Sequence, residues 1–371
     1  GFVDLDEFKI EGPFGDHTGF YTPTEPFPVM KVSRILAKKD AIYQATVVGK
    51  PPLEDKVMGL GTERVFLPLF QATTPDVIDY KMPENGVFHN LILAKIHSHY
   101  PAHATQIMHA FWGVGQMSFV KHAIFVGQNA PKLDDYGALV PYILNRFEAS
   151  KLYISEGICD QLDHASPNAC FGGKAALDAT SEKECGTKLE ILSDEALNEL
   201  FSSEISLLAL RQFYTNTNSP IVCVLLDKKE LVKKSFERLL KFAKHFKIVV
   251  FLDSHNRLQN PYMLVWRVVN NIDAKRDIFF GKDFISENLA NFSAKGENLK
   301  KNLANSSEKS TNLNENLAHC IGIDATAKGE LEKHPRKWAL QVDCTQKVIE
   351  DLIKRKLIDK DSALFDKFEL F

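Results

Sequence analysis

The chain has 371 residues, of which 44% are hydrophobic and 25% are charged, and its formal net charge is -3. This is the composition of a soluble globular protein long enough for two or three domains, and the negative net charge argues against a nucleic-acid-binding protein. No apolar run approaches the roughly 20 residues that span a bilayer, and we expect no signal peptide. We therefore expect a cytoplasmic protein that binds no nucleic acid.

The cysteines are irregularly spaced and form no CxxC pair, so we expect reduced thiols and no structural zinc site. They are Cys159, Cys170, Cys185, Cys223, Cys320 and Cys344.

The opening residues, GFVDLDEFKIEG, alternate apolar and polar side chains as a strand does. Because the sequence starts at Gly1 and not at Met, we expect a fragment or a processed piece of a longer protein.

The segment KIEGPFGDHTGFY ends this strand in a shaped turn, since Gly12 and Pro13 break helices and Pro13 cannot join a central ladder. Such a turn can hold Glu11 and Asp16 over one small space. Two neighbouring acids cannot both ionise freely, so the pKa of one would be raised and that acid could donate a proton near neutral pH. The alternative is an ordinary loop in which the aspartate bonds its own backbone.

Residues 29–48 predict two strands joined by a turn at Lys38 to Asp40, and the Pro- and Gly-rich segment that follows predicts a domain boundary. From Glu63 onward, short apolar runs alternate with helical patterns. This alternation predicts a mainly parallel sheet.

An internal echo links two parts of this region. LVPYILNRFEAS at 139–150 aligns with LVWRVVNNIDAK at 264–275, and ALDATSEK resembles GIDATAKG further along. The echo predicts a duplicated strand–helix–strand unit of about 65 residues with insertions, and chance similarity between two α/β units is the alternative. Asp178 and Asp324 of the two DAT segments are expected to cap turns and to carry no chemistry.

Two further segments stand out by composition. Residues 286–318 are repetitive and rich in Asn, Ser and Lys, which predicts a surface insertion. Residues 345–371 place Val348, Ile349 and Leu352 on one helical face. That helix would dock either on a neighbouring subunit or on its own domain.

Five of the 12 histidines lie between His89 and His109. His97 and His99 flank one residue of a predicted strand, so their rings would share a face and could bind zinc with His103 as a third ligand. The alternative is a set of imidazoles that form hydrogen bonds near a strand end.

Four segments, in this order, resemble the UbiD family of prenylated-FMN-dependent decarboxylases: EGPFGDHTGFY, KVSRILAKKDAIYQATVVGKPPLEDKVMGLGTERVFLP, GVFHNLILAKIHSHYPAHA and GIDATAK. The family's usual YPGHA reads YPAHA here. The resemblance covers residues 1–130 strongly and 320–343 clearly, and it is weak between 150 and 320.

The resemblance implies the site. Glu11 would position an arginine that lies upstream of Gly1, and Asp16 would be the proton donor that replaces carbon dioxide. The ligands of Mn²⁺ and of the flavin phosphate would also lie upstream, and Lys95 is a candidate for a lysine that contacts the cofactor. The implied reaction is non-oxidative decarboxylation of an aromatic acid, such as a prenylated 4-hydroxybenzoate of quinone biosynthesis.

The fold is accordingly expected to be α/β (α+β overall). Residues 1–58 would be the remainder of a split β-barrel flavin-binding domain, 59–344 an α/β domain, and 345–371 a C-terminal helix at an oligomer contact. We expect a homo-oligomer, either a dimer or a hexamer, with peripheral membrane contact through a prenylated substrate. The rival readings are a non-catalytic oligomerisation module and a metal-dependent hydrolase that uses His97, His99 and His103.

Overall fold

The computed structural model describes residues 1–45, 48–51, 54–185, 189–281 and 319–369. The insertion predicted at 286–318 lies outside the described residues. Within these ranges the strands are β1 Phe2–Glu11, β2 Glu25–Lys31, β3 Val77–Lys81, β4 Leu91–Ile96, β5 His122–Gly127, β6 Leu152–Ile158, β7 Phe171–Ala179, β8 Leu207–Phe213, β9 Ile221–Leu226, β10 Ile248–Asp253, β11 Ile278–Phe280 and β12 Ile321–Asp324. The α-helices are α1 Glu54–Thr73, α2 His103–Gly113, α3 Tyr136–Leu144, α4 Asp194–Ser202, α5 Val232–Leu239, α6 Pro261–Asn271, α7 Ala274–Asp277, α8 Gln346–Lys354 and α9 Ala363–Phe368.

The chain forms two compact units, Gly1–Val57 together with Ala339–Phe371, and Met58–Trp338. Residues 339–344, which the sequence predicts to belong to the α/β domain, pack with the first unit in the structure. Among the described residues, no helix is long and apolar enough to cross a membrane.

The first unit is built on an antiparallel ribbon of β1 and β2, in which Phe2 lies opposite Lys31 and Glu11 opposite Glu25. Helix α8 buries Ile349 in the same unit and leaves Val348 47% exposed. The predicted apolar face therefore packs partly on its own unit.

The prediction of two strands within 29–48 is wrong. Residues 29–31 finish β2, but residues 32–45 form neither helix nor strand. Several apolar side chains of this segment, such as Leu36 and Tyr43, are about nine-tenths exposed at 89% and 92%. A strand needs a neighbour for its N–H and carbonyl groups, and the described residues supply none for this segment.

The second unit contains the duplication. One sheet has the order β3-β4-β5-β7-β6 and the other has the order β8-β9-β10-β12-β11. In each sheet three central strands run parallel and the two edge strands run antiparallel to them. The predicted α/β class and the duplication are confirmed. The repeated unit is a whole five-stranded sheet with its helices, which is larger than the strand–helix–strand unit that the sequence suggested.

A single apolar cluster joins the two repeats. It contains Leu93 and Val126 of the first sheet, Leu225 and Val250 of the second, and Leu139 of α3. Each sheet also has an outer cluster of its own, rich in phenylalanine. Burial of both sheet faces explains why the central strands read as near-continuous apolar runs.

The two DAT segments adopt the same turn at the ends of β7 and β12. Thr180 donates from its N–H and its hydroxyl to Asp178 Oδ1, at 2.9 and 2.6 Å. Thr326 does the same to Asp324 Oδ1, at 3.0 and 2.6 Å. The predicted capping role of both aspartates is confirmed.

Candidate active site

The motif turn folds as a loop whose two ends bond each other. Thr22 N–H donates to the Phe14 carbonyl at 2.9 Å, and Phe14 N–H donates to Thr22 Oγ1 at 3.1 Å. Gly12 has a φ of 89°, and a Cβ there would lie 2.8 Å from the Pro23 carbonyl oxygen. Glycine is therefore needed at this position, both for the left-handed backbone and for the close approach.

Residues more than 300 positions away hold this loop in place. Tyr21 N–H donates to the Leu340 carbonyl at 2.8 Å, and Val342 N–H donates to the Gly19 carbonyl at 2.9 Å. The side chain of Val342 lies 3.0 Å from where a Cβ on Gly15 would be. The stretch that follows GIDATAK thus packs directly against the first motif.

Asp16 lies between the two ends of the loop with its side chain 25% exposed. Its Oδ1 accepts a bond from His17 N–H at 2.6 Å and contacts His17 Nδ1 at 2.8 Å. Burial raises the pKa of Asp16, but the hydrogen bonds and the charge of His17 outweigh it, so the net pKa lies below its usual value. The carboxylate and the imidazole form a pair at the edge of solvent.

Glu11 is exposed at the end of β1, across the ribbon from Glu25. Among the described residues, no hydrogen bond joins Glu11 to Asp16. The raised pKa that a shared proton would give is not found for Asp16, whose partner is His17 instead. The catalytic assignment of Glu11 and Asp16 stays a prediction.

The histidine cluster follows β4, which ends at Ile96, so the prediction that His97 and His99 lie on a strand is wrong. Their rings stack 6.0 Å apart, and His99 stacks on His103 at 5.7 Å. Asp76, which the sequence reading missed, contacts His99 Nε2 at 2.9 Å and His103 Nε2 at 3.3 Å. His97 Nδ1 contacts Gln128 Oε1 at 2.7 Å.

Contacts with Asp76 and Gln128 join these histidines into a network. Within the ranges that the structure describes, no three or more His, Cys, Asp and Glu side chains are placed to hold a metal ion. The geometry of the described residues gives no support to a zinc site at His97, His99 and His103.

The YPAHA variant has a structural consequence. Ala102, at the start of α2, has a φ of 68°. The glycine of the family pattern takes this left-handed backbone without the steric cost that a Cβ adds.

Lys95 lies on β4 and donates from Nζ to the Ala130 carbonyl at 2.7 Å. This bond lies inside the first repeat. A cofactor contact by Lys95 stays a prediction.

Comparison with known proteins identifies two domains in the chain. Residues 1–51 match the Rift-related domain of 3-octaprenyl-4-hydroxybenzoate carboxy-lyase, and residues 56–179 match the C-terminal domain of that enzyme. The chain carries two domains of the UbiD family, in residues 1–51 and 56–179. An uncharacterized protein of Helicobacter pylori strain J99 is 49% identical over 373 residues, which cover 100% of this chain and 54% of the relative. The chain therefore spans about half the length of that relative.

Two solved structures overlap the chain in part. The UbiD-class enzyme HmfF of Pelotomaculum thermopropionicum, in complex with FMN, is 22% identical with a TM-score of 0.42, over 53% of this chain and 44% of the other. The vanillic acid decarboxylase of Sedimentibacter hydroxybenzoicus is 17% identical with a TM-score of 0.45, over 54% and 44%.

The described residues offer no cluster of metal-ligating side chains for the Mn²⁺ that the resemblance implies. The carboxyl of Asp16 lies at the edge of solvent beside an imidazole, where the shaped loop holds it.

Proposed function

We propose that the full-length protein decarboxylates an aromatic acid with prenylated FMN, and that Asp16 supplies the proton that replaces carbon dioxide. The Asp16–His17 pair carries this proposal. The loop that presents it matches the Rift-related domain of a carboxy-lyase family, and the matching C-terminal domain follows in the same chain. The proposed substrate is a prenylated 4-hydroxybenzoate or a related quinone precursor.

In the proposed reaction the bond from the ring carbon to the carboxylate breaks, carbon dioxide leaves, and the electron pair on that carbon takes a proton that the Asp16–His17 pair holds and that Asp16 Oδ1 passes on. The bound flavin supplies the electron sink that side chains lack. Water then returns a proton to Asp16 through His17, since both side chains are partly exposed at 25% and 20%. The pair therefore holds and delivers one proton per turnover.

We propose that Glu11 positions an arginine of the longer protein. Its carboxylate is exposed, and no hydrogen bond to it is present within the described part of the chain. An exposed carboxylate of this kind can accept two parallel hydrogen bonds from the N–H groups of a guanidinium.

We further propose that the first unit is the remainder of the flavin-binding domain and that the protein is a homo-oligomer. Exposed apolar side chains on the ribbon support this, with Phe2 at 73%, Leu5 at 73% and Ile10 at 69%. Apolar side chains grouped in this way mark surfaces that other protein covers. Light scattering of the full-length protein should give the molar mass of a dimer or a hexamer.

The test is Asp16→Asn in full-length protein made with a prenyl-flavin supply. General acid catalysis contributes about 10²–10⁴-fold, so we expect carbon dioxide release from aromatic acids to fall at least about 100-fold while the flavin spectrum is unchanged. The matched control is Asp6→Asn on the exposed ribbon, which should keep its activity. Loss of the flavin spectrum in Asp16→Asn, or full activity, would show that Asp16 is not the donor.

A further inference from the structure

Two segments of the first unit enclose the residue that precedes Asp16. A Cβ on Gly15 would lie 3.0 and 3.1 Å from the methyl carbons Cγ2 and Cγ1 of Val342, and 3.1 Å from the carbonyl oxygen of Val48. Contacts this close leave the backbone of Gly15 little room to shift. The position of Asp16 therefore depends on the segments that contain Val48 and Val342.

The same two segments also contact each other. A Cβ on Gly49 would lie 3.5 Å from Val342 Cγ1, which is ordinary van der Waals contact. The next residue of each segment carries a charge, and Lys50 Nζ lies 2.7 Å from Asp343 Oδ1. This ion pair therefore joins the two segments one residue beyond their contact with each other.

Lys50 is a buried cation. Its side chain is 5% exposed, whereas that of Asp343 is 41% exposed. Its Nζ also donates to the Glu369 carbonyl at 2.8 Å, one residue after the end of α9. Burial of an ammonium group costs free energy unless an opposite charge and hydrogen bonds compensate for it. Lys50 is therefore stable in its buried position only while these partners stay in place.

The segment of Asp343 is also hydrogen-bonded to the motif loop. Val342 N–H donates to the Gly19 carbonyl at 2.9 Å, and Gly19 N–H donates in turn to the Asp16 carbonyl at 2.9 Å. Asp16 N–H donates to the Phe20 carbonyl at 3.3 Å. The backbone of Asp16 is thus connected to Asp343 by two consecutive hydrogen bonds and one peptide link.

We propose that Lys50 is a positioning residue for Asp16, which it holds through Asp343, Val342 and Gly19. The inference rests on the proposed function, in which the Asp16 carboxyl delivers a proton. Proton transfer requires the donor within about 2.6–3.2 Å of the acceptor atom. A displacement of about 1 Å can lower the rate as much as about 100-fold, so a loop held less firmly should transfer the proton more slowly.

The first test is Lys50→Met in full-length protein made with a prenyl-flavin supply. Methionine keeps the apolar stem but removes the charge and both bonds, and Asp343 is left partly exposed to water. With a prenylated 4-hydroxybenzoate as the probe, we expect kcat to fall about 10- to 100-fold while KM and the flavin spectrum stay unchanged. Lys50→Arg, which keeps the charge and the donors, should restore most of the kcat.

The second test measures the loop itself and requires no turnover. Hydrogen exchange is followed by mass spectrometry of the peptides that contain Tyr21 and Val342, whose N–H groups join the loop to the 340–343 segment. We expect exchange at least about tenfold faster in Lys50→Met, as the loss of one charged hydrogen bond gives. Peptides of β5, in the second unit, should exchange at an unchanged rate.

The matched control is Lys31→Met. Lys31 also bridges two carboxylates, Asp4 at 2.8 Å and Glu7 at 2.9 Å, but it is exposed and lies at the opposite end of the ribbon from the motif. This variant should keep both the kcat and the exchange rates. If Lys50→Met does not fold, Asp343→Asn weakens the same ion pair at a partly exposed side chain and should change kcat and exchange in the same directions.

The two tests separate this inference from the proposed function. Full kcat in the Lys50 and Asp343 variants of an active protein, or unchanged exchange at Tyr21 and Val342, would overturn the role of Lys50 and leave the proposed function standing. If the unmodified protein released no carbon dioxide, the proposed function would be overturned, and faster exchange in Lys50→Met would still show that Lys50 holds the loop.

Discussion

At the scale of single residues, the decisive contact is that between Asp16 and His17. Two contributions to the pKa of Asp16 oppose each other. Burial raises this pKa, and the hydrogen bonds from His17 lower it. His17→Phe removes the side-chain bond and the imidazolium charge but keeps the burial and the backbone bond. We therefore expect the pKa of Asp16 to rise, measured by ¹³C carboxyl titration of aspartate-labelled protein, with the Asp16→Asn spectrum used for assignment.

The matched control is His17→Asn, which keeps a side-chain donor and should raise the pKa of Asp16 less. An unchanged or lower pKa in His17→Phe would mean that the imidazole does not hold the Asp16 carboxylate. The proton-sharing step proposed above would then lose its basis.

The sequence could predict the shaped turn that carries Asp16, because a motif of eleven residues contains its own turn-forming glycines and proline. It could not supply the partners of this turn. Val342 and Leu340 hold the loop from the other end of the chain, and Asp76 reaches His99 and His103 from the turn before β3. Contacts between distant segments leave no local pattern, so only the fold reveals them.

At the scale of secondary-structure elements, Asp273 joins the repeats. Its Oδ2 accepts from Gly173 N–H on β7 at 2.7 Å, and its Oδ1 caps α7 by accepting from Lys275 and Arg276 N–H at 3.1 and 3.2 Å. A Cβ on Gly173 would lie 2.4 Å from Asp273 Oδ1, so glycine is required for this contact. One buried carboxylate therefore satisfies donors of both repeats.

Asp273→Asn should keep the cap but turn an N–H₂ group toward Gly173 N–H, leaving a buried donor unpaired. We expect the free energy of unfolding to fall by about 2–3 kcal/mol. Ser193→Ala, which removes the cap that Ser193 Oγ gives α4 through Ala196 N–H, should cost only about 1 kcal/mol. Urea unfolding can be followed by tryptophan fluorescence, since Trp112, Trp266 and Trp338 all lie in the second unit. Equal losses in the two variants would contradict the bridging role.

The sequence predicted the elements of the second unit better than those of the first. Its central strands are buried on both faces, so their sequences are apolar runs. Its two repeats also retain sequence similarity between the segments that contain α3 and α6. Residues 32–45 carry strand-like side chains as well, yet they form no strand. Strand formation depends on a pairing partner, and sequence patterns do not contain that partner.

At the scale of the whole molecule, pH should act on the second unit through its buried histidines. Burial, together with the charge of Lys121, lowers the pKa of His122 to about 3, and burial lowers that of His164 to about 3 as well. An unfolded histidine titrates near 6.5. Above pH 6.5 these histidines are neutral in both the folded and the unfolded protein. Between about pH 6.5 and pH 3 they bind protons in the unfolded protein but stay neutral in the folded protein.

Each of these histidines should therefore lower the free energy of unfolding by about 1.4 kcal/mol for every pH unit below 6. His122→Gln keeps a donor for the Val269 carbonyl but cannot titrate, so the loss of stability between pH 6 and pH 4 should be shallower by that amount per unit. The matched control is His109→Gln, which replaces an exposed histidine of α2 and should leave the slope unchanged. Urea unfolding at pH 7, 6, 5 and 4, followed by tryptophan fluorescence, measures the slopes. A slope in His122→Gln equal to that of the unmodified chain would mean that His122 accepts its proton in the folded protein, and the buried neutral imidazole would have to be abandoned.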